Sequence, residues 1–220
     1  MLGTKQLAFI GIGATAIAGG SAGIYYFQQN KTTIRDKLNS EGIKLISTDE
    51  EYWVSFKETK KDPELINLIK NGDNTYDTWD ARKGGNSLKV WCDNNLKLNI
   101  PKENAQTLLD KVKKYCSKPP LTIGEKISKL GKKWVTKWNE KLEALKKPNV
   151  DTELVGELKK INDKVTGLDI SDTQAVIKAL EDWCKGNNSK RLISPETDAI
   201  WAKLEKRCFE TSTTTQKNDG

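Results

Sequence analysis

The chain carries one signature twice: a tryptophan followed by a cysteine, with a second cysteine 24 positions on, at Trp91-Cys92 to Cys116 and Trp183-Cys184 to Cys208. An Asn-Asn pair follows each first cysteine, at Asn94-Asn95 and Asn187-Asn188. At the same offset of 92, Leu108, Leu109 and Val112 fall on Ile200, Trp201 and Leu204, so the apolar stripe ahead of each second cysteine is repeated too. Such a chain must fold as two related modules, and two long copies mark a tandem duplication rather than a solenoid of short repeats. Upstream, Trp53-Val54-Ser55 resembles Trp134-Val135-Thr136 at an offset of 81, which requires about eleven inserted residues in the second copy. The organisation expected is 1–30 as an N-terminal anchor, 31–118 as module 1, 119–210 as module 2 and 211–220 as a polar, disordered tail, with Trp91 and Trp183 in equivalent buried places.

Both modules read as helical, so the fold class expected is mostly α. Thr48 to Glu51 and Ser171 to Gln174 have capping-box spacing, and Asp62-Pro63 and Ser194-Pro195 place a cap before a first-turn proline. Gly42, Gly72, Gly167 and Gly186 stand just past periodic segments, as helix stops do. Trp134, Trp138, Leu142 and Leu145 share one helical face, and so do Leu154, Leu158, Ile161 and Val165. Residues 74–86 have turn composition and no period, and are expected to form a loop. The cysteine spacing allows Cys92 to meet Cys116 and Cys184 to meet Cys208, because the second helix can return along the loop that precedes it. Four buried thiols packed as small hydrophobes are the alternative.

Ahead of the modules, Leu7 to Phe27 is an uncharged run of 21 residues. As a helix it spans about 30 Å, the hydrocarbon thickness of a bilayer. Tyr25, Tyr26 and Phe27 would sit at the interface, with Lys31 and Arg35 in water. A cleaved signal ending near Ala18 is the alternative, but the apolar run continues well past it. Gly11, Thr15, Gly19 and Gly23 recur every fourth residue, the stripe through which two membrane helices can pack as a homodimer. Lys31, Arg35 and Lys37 favour a cytoplasmic C-terminal part by charge count. The short N-terminal tail and the paired cysteines favour the exterior, which is the orientation expected here.

Histidine is absent, which removes His-based triads, His metal ligands and the side chain that titrates nearest neutrality. None of the four cysteines lies in a C-x-x-C pair. The acidic clusters Asp49-Glu50-Glu51 and Asp77/Asp80 sit at a helix start and in a polar stretch, where carboxylates need no catalytic explanation. No catalytic residue, cofactor or metal site is therefore expected. The net charge of +7 concentrates between Lys111 and Lys147, where twelve lysines face three glutamates. Lys126, Lys129, Lys132, Lys133 and Lys137 are the expected anion-binding surface. Lysine point charges without arginine forks suit loose phosphate or sulfate contact, not base-specific nucleic-acid recognition.

The opening apolar span, the run Lys37-Leu38-Asn39-Ser40-Glu41-Gly42 with Leu45-Ile46 and Trp53 behind it, and Leu88-Lys89-Val90-Trp91-Cys92 together resemble a family. It is the lineage-expanded single-pass membrane proteins of hemotropic mycoplasmas. The resemblance runs from Met1 to about Glu210 and implies surface display and antigenic variety; it supplies no catalytic residues. The function expected is a membrane-anchored, surface-exposed helical protein that contacts the lipid bilayer and a host surface or anionic polymer. A cytoplasm-facing tethered scaffold for anionic partners is the alternative.

Overall fold

The computed structural model describes residues 32–100, 105–147, 151–169 and 171–210. Among these the chain is helical, with ten α-helices, one 3-10 turn and isolated β-bridges in place of strands. No helix among the described residues is long and apolar enough to cross a membrane. The apolar segment Leu7 to Phe27, with Gly11, Thr15, Gly19 and Gly23, and the tail 211–220 lie outside the described residues.

Module 1 contains α1 (Ile34–Ser40), α2 (Asp49–Thr59), α3 (Pro63–Ile69), α4 (Ala81–Leu96) and α5 (Ala105–Cys116). Module 2 contains α6 (Ile123–Lys129), α7 (Trp138–Leu145), α8 (Leu154–Lys159), α9 (Thr173–Gly186) and α10 (Thr197–Arg207). Local chemistry sets most of the starts. Thr33 with Asp36, Thr48 with Glu51 and Thr122 with Glu125 form reciprocal capping boxes on α1, α2 and α6. Asp62 caps α3, with Pro63 in its first turn. Asp80 caps α4 through the Lys83 amide, and Asp172 caps α9 through the Ala175 amide. The cap expected at Ser171 is therefore supplied by its neighbour, and α10 begins two residues beyond Pro195, at Thr197. Gly42 and Gly131 follow α1 and α6 with φ of +75° and +60°, a left-handed conformation that glycine adopts without strain.

The backbone pairings repeat between the modules and correct the expected register. Ile34 N–H donates to Leu98 O as Ile123 N–H does to Lys190 O, and Ile46 N–H donates to Cys116 O as Val135 N–H does to Cys208 O. The bridges Thr33 to Asn99 and Leu45 to Ser117 recur as Thr122 to Arg191 and Trp134 to Phe209. The first half of each module is thus offset by 89, with Gly42 on Gly131, and the second half by 92, so module 2 carries three extra residues rather than eleven. Trp134 consequently matches Leu45, not Trp53. Trp53 lies inside α2, whereas Trp134 precedes α7 and is not part of its face. A shared Trp-Val-Ser/Thr triplet was a coincidence of letters in two different structural settings.

Each module has its own core. Ile34, Leu38, Phe56, Leu65, Leu88, Cys92, Val112 and Tyr115 anchor the first, and Ile123, Leu142, Leu154, Leu180, Cys184 and Leu204 the second. Trp183 is buried, while its counterpart Trp91 is only half-buried and meets Tyr115 edge-on, with ring centres 6.3 Å apart. The stretch 74–86 is a loop only in part: Tyr76–Thr78 forms a 3-10 turn and α4 has begun at Ala81. Gly84 and Gly85 belong to that helix because α2 lies against it. A Cβ on Gly84 would stand 2.1 Å from Phe56 Cε1, and one on Gly85 2.8 Å from Trp53 Cα. Glycines that looked like turn residues are close-packing residues of a helix pair.

Candidate functional site

Two covalent staples close the modules. Cys92–Cys116 and Cys184–Cys208 are disulfides, with Cα atoms 5.8 and 5.7 Å apart, and no free cysteine is present among the described residues. Each ties the long helix α4 or α9 to the end of α5 or α10, deep in the core. By chain entropy a loop of this length contributes about 3.5 kcal/mol to stability.

Beside each staple lies a cluster of carboxylates and cations at equivalent positions. In module 1, Tyr115 donates its hydroxyl to Asp62 and Glu64, both at 2.8 Å; Lys114 approaches Asp62 at 2.8 Å and Lys111 approaches Glu64 at 3.3 Å. In module 2, Asp62, Glu64, Lys111 and Tyr115 become Asp151, Glu153, Lys203 and Arg207. Arg207 is fully buried; its fork takes Asp151 in two bonds of 2.6 and 2.7 Å, and a third nitrogen bonds Glu157. Lys203 bridges Glu153 and Glu157, the latter at 2.5 Å, and the guanidinium lies 4.5 Å from the Trp183 ring centre. Burial alone would raise the pKa of Asp151 and Glu157, but hydrogen bonds from Arg207 and Lys203 hold both below the usual carboxylate range. Glu64 is lowered first by the Tyr115 hydroxyl, and Asp62 first by Lys114. These carboxylates are therefore held ionised at neutral pH.

A second constellation joins the modules. Glu50, Val54, Lys57 and Glu58 form one stripe of α2 that faces module 2. Val54 is fully buried in the core of module 2, and Lys57 Nζ donates to Leu192 O, Ser194 O and Thr197 Oγ1 at 2.7, 3.1 and 3.0 Å. Arg191 forks onto Glu50, with Nε 2.8 Å from Oε1, and Lys126 pairs with Glu58. An open cleft of about 420 Å3 follows the seam, between Trp53 and Arg82 on one side and Ile193 and Pro195 on the other.

The five lysines singled out in the sequence do not form one anion surface. Lys126 is committed to Glu58 and lies 4.5 Å from the Trp201 ring centre; Lys132 pairs with Glu205 at 3.3 Å and Lys137 with Glu140 at 3.0 Å. Lys129 and Lys133 are exposed, with no ion pair among the described residues. Local charge had counted lysines without seeing the carboxylates that α2, α7 and α10 bring to them. Asp49, Glu50 and Glu51 all lie in the first turn of α2, and no group of three His, Cys, Asp or Glu able to hold a metal occurs among the described residues. The Arg207 cluster and the Lys57 seam were missed; a register of 89 would have exposed the first, by setting Asp62 on Asp151. No family model, curated protein or solved structure matches this chain.

Proposed function

We propose that the chain is a membrane-tethered, outward-facing helical interaction protein, a pair of disulfide-closed modules displayed for contact with a host surface or partner. The observation that carries this reading is the pairing of every cysteine within its own module. Structural disulfides persist in oxidising compartments and are rare in the cytosol. The uncharged run from Leu7 to Phe27 supplies a tether, and the resemblance to surface proteins of hemotropic mycoplasmas agrees with display. The cytoplasmic scaffold loses support from the lysine-rich region, since Lys126, Lys132 and Lys137 are paired with carboxylates.

Topology is tested on intact cells. Added protease should cut the modules without lysis, and alkylation before and after reduction should find all four cysteines oxidised within the 92–116 and 184–208 pairs. Modules protected until lysis, or free thiols in intact cells, would overturn the outward assignment.

A further inference from the structure

The edge on which the chain enters module 2 is covered by protein, and the matching edge of module 1 is open among the described residues. In module 2, Arg191 forks onto Glu50 of α2, Leu192 is 1% exposed, and the Leu192 carbonyl and the Thr197 hydroxyl accept from Lys57. In module 1 the equivalent positions are Asn99, Ile100 and Ala105. Asn99 is exposed, and Ile100 and Ala105 are only partly buried. Next to them Leu98 is 48% exposed, the state of few large apolar side chains in this molecule.

What stands in front of each edge follows from the chain. Thr32 O accepts from the Ile100 amide at 3.2 Å, as Leu121 O does from the Leu192 amide at 2.8 Å. At the offset of 89, Cys116, the last residue of α5, falls on Phe27, the last residue of the uncharged run. Residues 117–121 thus bring the chain from module 1 to the edge of module 2, and residues 28–32 bring it from the apolar run to the edge of module 1. Five residues reach at most about 17 Å. With the run in a bilayer, the membrane surface stands before module 1 as module 1 stands before module 2.

Charge at this edge suits such a neighbour. Arg35, beside the Ile34 to Leu98 hydrogen bond, and Lys97, the C-cap of α4, have no ion pair among the described residues. The nearest acidic groups are engaged: Asp36 accepts from the amide and hydroxyl of Thr33, and Glu41 pairs with Lys37 and Lys113. A second copy of the chain does not supply the missing cover, because α2 is already used at the seam and α7 carries Glu143 where α2 has Val54.

We propose that the open edge of module 1 docks on the anionic surface of the membrane that holds the tether, so that the module pair stands on the bilayer at a fixed angle. The proposal rests on the tethered reading. Leu98 enters the interfacial layer, and Arg35 and Lys97 on either side of it meet lipid phosphates. An apolar contact flanked by cations matches a phosphate layer above hydrocarbon, and the short linker holds the two surfaces together at high effective concentration.

The test uses the full chain reconstituted into vesicles of phosphatidylcholine and phosphatidylglycerol. All four cysteines are bridged, so Leu98→Cys supplies a single thiol for a bimane label, and Ile161→Cys, at a 44% exposed site in module 2, supplies the control. Lipids brominated high on the acyl chain should quench the label at position 98 and leave the label at 161 bright. Arg35→Gln combined with Lys97→Gln should shift the docked-to-free ratio by about 30-fold, and leaving out phosphatidylglycerol should likewise relieve the quenching. Flotation of the vesicles after an alkaline wash reads the tether separately. A chain that washes off overturns the tether and the docking with it. A chain that floats overturns the docking alone if position 98 stays as bright as 161, or if its quenching survives removal of the two cations or of the anionic lipid.

Discussion

Arg207→Met strands a buried carboxylate and tests the energetic reading of module 2. Methionine preserves the apolar stem but removes the fork on Asp151, the bond to Glu157 and the cation over Trp183. Asp151 is left worst placed, since its side chain is only 6% exposed; Glu157 keeps Lys203 at 2.5 Å. Removing one partner of a buried pair costs about 3–5 kcal/mol, and the surviving Lys203 places the expected loss near the lower end, about 3 kcal/mol. With a urea m-value of about 2 kcal/mol/M the unfolding midpoint falls by about 1.5 M. The pH dependence gives a second check. In the parent, Asp151 and Glu157 have folded pKa values below the unfolded ones, so their contribution is fully present above about pH 4.5 and is lost as pH falls through the folded values. In the variant the unpaired Asp151 shifts upward instead, so acid relieves it. Urea unfolding at pH 7 and pH 3 should therefore show a gap between parent and variant that narrows on acidification. A loss under about 1 kcal/mol at pH 7, or a gap independent of pH, would refute the ion-pair account.

Three further substitutions probe the rest of the fold. Gly85→Ala should destabilise by about 1–3 kcal/mol in thermal unfolding despite alanine's better helix propensity, because its Cβ meets backbone at Trp53; a stabilised variant would mean that α2 and α4 are not in close contact. Glu51 has its pKa lowered to about 2: burial opposes the shift, but the Ser47 amide, Lys118 and the Thr48 amide outweigh it. Its contribution is present above about pH 4.5 and fades towards pH 2, so Glu51→Gln should lower stability at pH 7 and flatten the acid limb of a stability–pH curve. Lys57→Met leaves two carbonyls and the Thr197 hydroxyl without their ammonium, costing about 1.5–3 kcal/mol, and should split one calorimetric transition into two as the modules uncouple.

Periodicity and spacing made most of the helices, the duplication and the cysteine pairing legible, because each is a local or regularly repeated feature of the chain; the face read from Leu154 to Val165 is the exception, since α8 ends at Lys159 and Ile161 is exposed. The 24-residue interval and the Trp-Cys dipeptides carried the second half of each module correctly. The first half was misaligned because Trp-Val-Ser/Thr outweighed the plainer match of Lys37-Leu38 with Lys126-Ile127 and of Gly42 with Gly131. Gly84 and Gly85 misled for a physical reason: a glycine pair has the composition of a turn, and only the approach of Phe56 and Trp53 shows why a helix needs it. The Lys57 seam was illegible, since all its partners, two of them backbone carbonyls, lie more than 130 residues away. Charge counting failed at Lys126 and Lys132 because their carboxylates, Glu58 and Glu205, come from distant helices.

The two modules pack head to tail, an arrangement that in a repeat protein invites continuation unless the last face is closed. The face of α2 that docks on module 2 uses Glu50, Val54, Lys57 and Glu58; the matching positions of α7 and beyond are Asn139, Glu143, Lys146 and Lys147. Val54, fully buried, is thus answered by Glu143, 66% exposed at its side chain. Lys57, which holds two carbonyls, the Thr197 hydroxyl and the Asp198 carboxylate across the seam, is answered by Lys146, which pairs within module 2 with Glu143 at 2.7 Å and Asp169 at 3.2 Å. An apolar knob has become a charge and a bridging ammonium has turned inward, so the outer face of module 2 cannot reproduce the seam. The same helix that lost the docking stripe also lost the Thr-x-x-Glu cap and the tyrosine behind it. With both the stripe and the cap changed, α7 departs in chemistry from α2, and an open cleft lies beside it where Tyr52 and Ser55 are buried in module 1.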